Sequence, residues 1–187
     1  ELVFEILNEP HDKLNVDVWN MLYPEALGII RKSNPDRAVV VDAADWGGAG
    51  GLARLKAQPK DSRLIFSFHH YQPFEFTHQG AEWVGAQSKA WLGRTWNGTP
   101  SEVEGIRQEF EKAAAFSKRN NVPIYLGEFG AYNKADLASR VRWTKAITQM
   151  AKEYDFSTAY WEFKSGFGIY DAGTAKWNED LRAALMP

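Results

Sequence analysis

Arg37-Ala38-Val39-Val40-Val41-Asp42 is a short stretch whose interior is apolar without interruption. A strand with one wet face alternates polar and apolar residues. An unbroken run suits a strand buried on both faces, as in a parallel sheet. Arg63-Leu-Ile-Phe-Ser-Phe68 and Val122-Pro-Ile-Tyr-Leu-Gly127 read the same way, and Glu1 to Leu7 and Ser157-Thr-Ala-Tyr-Trp161 are two further strand-like stretches. Helical periodicity fills the intervals. Val16 to Lys32 puts Trp19, Leu22, Tyr23, Ala26 and Ile30 on one stripe, and Val103 to Arg119 does so with Ile106, Phe110, Ala113 and Phe116. Leu137 to Glu153 carries Val141, Ile147 and Met150, and Asn178 to Leu185 reads as a short last helix. Ser101 and Glu104 have the spacing of a capping box at the start of the second long helix. Strands alternating with helices specify an α/β fold with a parallel sheet and right-handed crossovers. Gln72 to Pro100 is the longest stretch without regular structure, a length at which loops carry function.

Composition narrows the function. The 187 residues hold 22 Lys+Arg against 24 Asp+Glu, a formal charge of -2, which lacks the basic footprint of a nucleic-acid binder. Apolar runs are strand-sized, too short to span a membrane. With no cysteine, disulfides, thiolate metal sites and a cysteine nucleophile are all excluded. Aromatic residues are abundant, with 8 Trp, 7 Tyr and 11 Phe. No signal peptide is visible at the first residues, which read as part of a strand.

Two signals lead nowhere. Gly48-Ala49-Gly50-Gly51-Leu52-Ala53 follows a strand and has the loose spacing of a dinucleotide loop. That loop needs an acidic residue ending the next strand, which here ends at Phe68-His69, so the stretch reads as a glycine-rich turn. Adjacent strand residues point to opposite faces, so His69 and His70 do not converge on one ion, and no metal or cofactor is expected.

The chemistry lies in two glutamates. Pro10 cannot donate a ladder hydrogen bond, so Asn8-Glu9-Pro10 ends the first strand with Glu9 at its carboxyl end. Gly127-Glu128-Phe129-Gly130 places a second carboxylate where a buried strand becomes a loop. In parallel α/β barrels the chemistry sits at that end of the strands. Two carboxyl groups about 5–5.5 Å apart suit a nucleophile and an acid/base in a retaining glycosidase. The bland alternative is a pair of ordinary strand-end carboxylates that cap helices or meet arginine. Glu5, four residues before Glu9, is expected to point into the barrel interior. Trp19 and Trp143 fall on helical stripes and read as core, and His70 reads as packing.

Ile6-Leu-Asn-Glu-Pro-His11, His69-His-Tyr-Gln-Pro-Phe74, Phe76-Thr-His-Gln-Gly80, Leu126-Gly-Glu-Phe-Gly130 and Tyr160-Trp-Glu-Phe163 occur in this order. Together they resemble glycoside hydrolase family 5, the cellulase family, over essentially the whole chain. The resemblance implies Glu9 as general acid/base and Glu128 as nucleophile. It implies Asn8 as the hydrogen-bond partner of the sugar 2-hydroxyl and His69 as a cleft residue. It further implies Tyr71 as the hydroxyl that orients Glu128, and Trp161 as the ring under the sugar at the scissile position. Trp46, just past a strand end, reads as a further sugar-stacking platform. The implied activity is that of a retaining endo-β-1,4-glycanase of the endoglucanase type, acting on a β-1,4-linked polysaccharide or oligosaccharide, extracellular by family resemblance.

The implied (β/α)8 barrel needs eight strands and ~250 residues. Residues 1–187 supply five βα units, matching the fourth to eighth strands, so the expectation is a partial, half-barrel-like domain without its first three units. Open edges of such a sheet would expose unpaired N–H and C=O groups, which predicts a homo-oligomer. A half-barrel scaffold without activity, which assembles and at most binds sugar weakly, is the competing expectation.

Overall fold

The computed structural model describes residues 2–58 and 61–186. In chain order the elements are β1 (Phe4–Glu5), α1 (Val16–Ser33), β2 (Val39–Asp42), α2 (Ala49–Ala53), β3 (Leu64–His70), α3 (Phe74–Thr77), α4 (Pro100–Asn120), β4 (Ile124–Phe129), α5 (Leu137–Glu153), β5 (Ser157–Thr158), β6 (Tyr170–Asp171), β7 (Lys176–Trp177) and α6 (Glu179–Leu185). Strands β1 to β5 form one sheet in chain order, while β6 and β7 make a separate antiparallel pair. The α/β alternation read from the sequence is therefore the observed one. The chain divides into two compact units, residues 1–70 with 109–127 and residues 71–108 with 128–187.

In the first unit β1 pairs in parallel with β2, Phe4 opposite Val39, and β2 pairs in parallel with β3 from Val39–Leu64 to Asp42–Ser67. All four residues of β2 are buried, the burial on both faces that its unbroken apolar run predicts. Side chains on β3 alternate. Phe66 packs edge-on against Phe116 at 5.0 Å, Phe68 against Phe110 at 5.4 Å, and His70 lies 6.0 Å from the Phe110 ring. Each aromatic pair adds about 0.5–1.5 kcal/mol beyond its buried area. Ser67 and His69 take the opposite face, as the strand period of two requires. On α1, Trp19, Tyr23 and Leu27 are buried but Leu22 is exposed, so the buried stripe is narrower than predicted.

Instead of a turn, Gly48 is the N-cap of the short helix α2, and Ala49, Gly50 and Gly51 are its first residues. The reason for glycine there is packing: a Cβ on Gly51 would stand 2.0 Å from the Ala44 carbonyl oxygen. Glu5 is exposed, because β1 holds only two residues and lies at the end of the strand order.

The second unit is built on α5 and α6. Trp143 is fully buried between Phe76 and Phe129, with ring centroids 6.4 and 6.3 Å away, and its indole N–H donates to Gln72 O at 2.9 Å. The long segment after β3 is ordered rather than structureless. It contains α3 and two short 3-10 helices, Glu82–Val84 and Ala86–Trp91. Buried Gln79 stitches it together, donating to Phe76 O and Arg94 O and accepting from Gly93 N–H. Trp96 pins its end: Ser139 Oγ accepts the Trp96 N–H at 3.1 Å, and the Trp96 carbonyl accepts from Arg142 Nε and Nη2.

Helix α4 begins at Pro100, earlier than predicted, and the capping box is Thr99 with Glu102. Glu102 Oε2 accepts the Thr99 N–H at 2.8 Å, and Thr99 Oγ1 accepts the Glu102 N–H at 3.3 Å. Pro100 occupies the first helical position, where a missing N–H costs nothing. Ile106, Phe110, Ala113 and Phe116 are all buried, as their spacing predicts.

Candidate active site

Glu9 follows β1 in the first unit. The parallel ladder ends with Ile6 N–H donating to Val40 O, so Glu9 stands three residues beyond it. Its φ is 47°, in the left-handed region that a residue with a Cβ rarely adopts. Its N–H donates to Asp42 Oδ2 at 2.8 Å, and its side-chain Oε1 lies 2.8 Å from His69 Nδ1. Asn8 beside it is exposed. His11 Nδ1–H donates to the Glu9 carbonyl, and the His11 ring stacks on Trp46 with centroids 3.5 Å apart. Trp46 is 57% exposed, so one indole face stays open to a ligand.

Asp42 and His69 complete this group. Asp42 is wholly buried, and its Oδ2 also lies 3.4 Å from His69 Nε2. Burial pushes the Asp42 carboxyl up to about 6; the positive charge of His69 and the Glu9 N–H act against that rise, and the charge of Glu5 adds to it. In the sequence Asp42 is only the end of an apolar run. The missed signal was its place: like Glu128, it is an acid where a buried strand gives out.

Glu128 belongs to the second unit, as the penultimate residue of β4. The Tyr71 hydroxyl donates to Glu128 Oε2 at 2.8 Å. Tyr71 is held in turn by Thr77, whose hydroxyl donates to the Tyr71 carbonyl at 2.6 Å, and by edge contacts with His78 and Phe167 at 5.0 and 6.1 Å. The Trp161 N–H donates to Phe129 O at 2.9 Å, fixing Trp161 beside the end of the strand that bears Glu128. Gly130 permits this approach, because a Cβ there would lie 2.1 Å from the Trp161 carbonyl oxygen. The Trp161 ring is 47% exposed, while Glu162 turns its carboxylate to the N–H groups of Ser165 and Phe167.

Of the sequence-predicted residues, then, Glu9 and His69 are joined directly in one unit, with Asn8 and Trp46 beside them through Glu9 and His11. Glu128 and Tyr71 are joined in the other, with Trp161 at the same strand end. Trp96 is buried and Trp83 exposed, so the tryptophans of the long segment divide between packing and surface.

A parallel α/β sheet whose strand ends carry hydrogen-bonded carboxylates, with half-exposed indoles beside them, defines the barrel-type class of α/β enzymes. The family model described as cellulase (glycosyl hydrolase family 5) matches residues 1–166. The chain belongs to glycosyl hydrolase family 5. A solved endoglucanase structure is 50% identical and superposes with a TM-score of 0.95 over 98% of this chain and 59% of that one. The endoglucanase of Thermotoga maritima is 47% identical, with a TM-score of 0.94 over 98% of this chain and 59% of its own. Among curated proteins, endoglucanase H of Acetivibrio thermocellus is 36% identical over 97% of this chain, which spans 18% of that protein. The chain thus corresponds to part of the family's barrel. Among the described residues no helix is long and apolar enough to cross a membrane.

Proposed function

We propose that this chain carries the reacting carboxylates of a retaining endo-β-1,4-glycanase of the cellulase type. The observation that carries the reading is the 2.8 Å hydrogen bond from the Tyr71 hydroxyl to Glu128 Oε2. A donor aimed at a carboxylate oxygen favours the ionised form, the state a nucleophile must hold. In this assignment Glu128 attacks the anomeric carbon and forms a glycosyl ester. Glu9 gives its proton to the departing sugar oxygen, then takes one from the water that hydrolyses the ester. His69 orients the Glu9 side chain, Asn8 meets the sugar 2-hydroxyl, and the exposed faces of Trp46 and Trp161 stack on pyranose rings. The related endoglucanase structures from Thermotoga maritima are in complex with cellobiose and with mannotriose, so β-mannan belongs in the assay beside β-glucan.

The test is hydrolysis of carboxymethylcellulose, a soluble mannan and an aryl β-cellobioside by the 187-residue chain, Glu9→Gln and Glu128→Gln. Turnover by the wild type that both substitutions abolish supports the reading. Wild-type turnover no greater than theirs overturns it and leaves the inactive scaffold. Exposed Leu2, Val3 and Leu7 around β1 and the two exposed residues of β5 favour self-association through sheet edges. Size-exclusion chromatography with light scattering is expected to find an oligomer; a stable monomer removes that proposal.

A further inference from the structure

We propose that Asp42 is a positioning residue for Glu9, holding it at both ends through one carboxylate oxygen. The inference rests on the reading of Glu9 as the acid/base. Asp42 Oδ2 accepts the Glu9 backbone N–H at 2.8 Å and lies 3.4 Å from His69 Nε2. The other ring nitrogen, Nδ1, lies 2.8 Å from Glu9 Oε1. The result is a closed circuit: Glu9 backbone, Asp42, His69, Glu9 side chain. Glu9 has a left-handed backbone, and an N–H bonded to a carboxylate is the kind of strong local contact that stabilises such a conformation.

Neither Asp42 nor His69 has room to move. Asp42 is fully buried, its Oδ1 accepts the Ala43 N–H at 3.0 Å, and its carbonyl accepts the Trp19 indole N–H at 2.9 Å. The His69 N–H donates to Gly47 O at 2.7 Å. A Cβ on Gly47 would lie 2.7 Å from the ring carbon Cγ, and one on Gly127 would lie 3.0 Å from Nε2. Two glycines therefore border a ring that cannot turn. The charged and titratable groups that bear on Asp42 are His69 from β3, Glu9 from the segment after β1, and Glu5 from β1 itself. The His69 imidazole thus lies between two carboxylates and passes a change of charge at Asp42 on to the Glu9 side chain.

Nuclear magnetic resonance on the isotope-labelled chain tests this from about pH 3 to about pH 9, a range that brackets ordinary carboxyl and imidazole values. The observed nuclei are the Glu9 amide proton, the Asp42 carboxyl carbon and the His69 ring nitrogens. In the wild type all three are expected to report a common step. Asp42→Asn is expected to remove that step at the Glu9 amide and to lower the His69 titration by about one pH unit, because the ring loses a neighbouring negative charge. A Glu9 amide that does not follow Asp42 in the wild type overturns the proposal without any variant having to fold. So does a His69 titration that Asp42→Asn leaves in place. Hydrolysis by Glu9→Gln at the wild-type rate would instead remove Glu9 as the acid, while the spectra judge the clamp independently.

Discussion

Gly127 and His69 approach so closely that a Cβ on the glycine would lie 3.0 Å from the imidazole Nε2 and 2.5 Å from Ser67 Oγ. Gly127→Ala therefore forces β3 and β4 to adjust around a buried ring. The expected cost is about 1–3 kcal/mol, the range for overpacking a filled interior. Urea denaturation measures it, and displaced His69 ring resonances should accompany it. A stability equal to wild type would show that the ring has space.

Tyr71→Phe removes the hydroxyl that donates to Glu128 Oε2 and leaves the aromatic contacts with His78 and Phe167 in place. Hydrogen bonds to charged groups contribute about 1.5–3 kcal/mol. Turnover is expected to fall by roughly 10- to 150-fold. The acidic limb of the pH–rate profile should move to higher pH, since the ionised carboxylate loses a donor. Unchanged circular dichroism would separate this effect from unfolding.

The buried carboxyl of Asp42 gives stability a definite pH dependence. Burial lifts it to about 6, whereas an aspartate in the unfolded chain titrates near 3.9. The native state thus binds this proton more tightly. Its contribution is complete below the unfolded value and is lost as pH rises from about 4 to 6, by about 3 kcal/mol at most. Asp61 acts in the other direction: its hydrogen bonds to Arg31 hold it below the usual range, so its contribution disappears on acidification. Chemical denaturation in steps across pH 4 to 7 is expected to show a downward component, relative to Asp42→Asn, over the lower part of that span (about two pH units). Parallel curves for the two proteins would contradict it.

Two tryptophans separate packing from binding. Trp96 is 2% exposed and Trp46 57%. Trp96→Ala is expected to destabilise the chain by about 3–5 kcal/mol through the cavity it leaves. Trp46→Ala should cost about 1 kcal/mol or less, yet weaken binding of cello-oligosaccharides. Thermal unfolding and isothermal titration calorimetry distinguish the two, and the reverse pattern would refute both assignments.

Local pattern predicted much of this molecule because burial on a regular element repeats with that element's period. The unbroken run in β2 and the Ile106, Phe110, Ala113, Phe116 stripe on α4 need no knowledge of their partners to be read. Residue type and strand-end position likewise marked Glu9 and Glu128, and the family resemblance singled out His69 and Tyr71. Local signals failed where two readings were equally good. Thr99–Glu102 and Ser101–Glu104 both have the capping-box spacing, and the position of Pro100 at the first turn chose between them. Trp96 and Trp83 sit in similar polar surroundings in the chain. Ser139 and Arg142, on a helix more than forty residues away, hold the Trp96 backbone, and Trp96 is buried while Trp83 is exposed.

The sequence by itself determined the alternation of strands and helices, the family, and which carboxylates to suspect, since these depend on neighbours along the chain. Tertiary structure alone decided the environment of those carboxylates. Asp42 gained its importance from Glu9, 33 residues before it, and from a histidine on the adjoining strand. Hydrogen bonds and desolvation act through distances in space, and no local pattern encodes which buried acid will meet which strained amide.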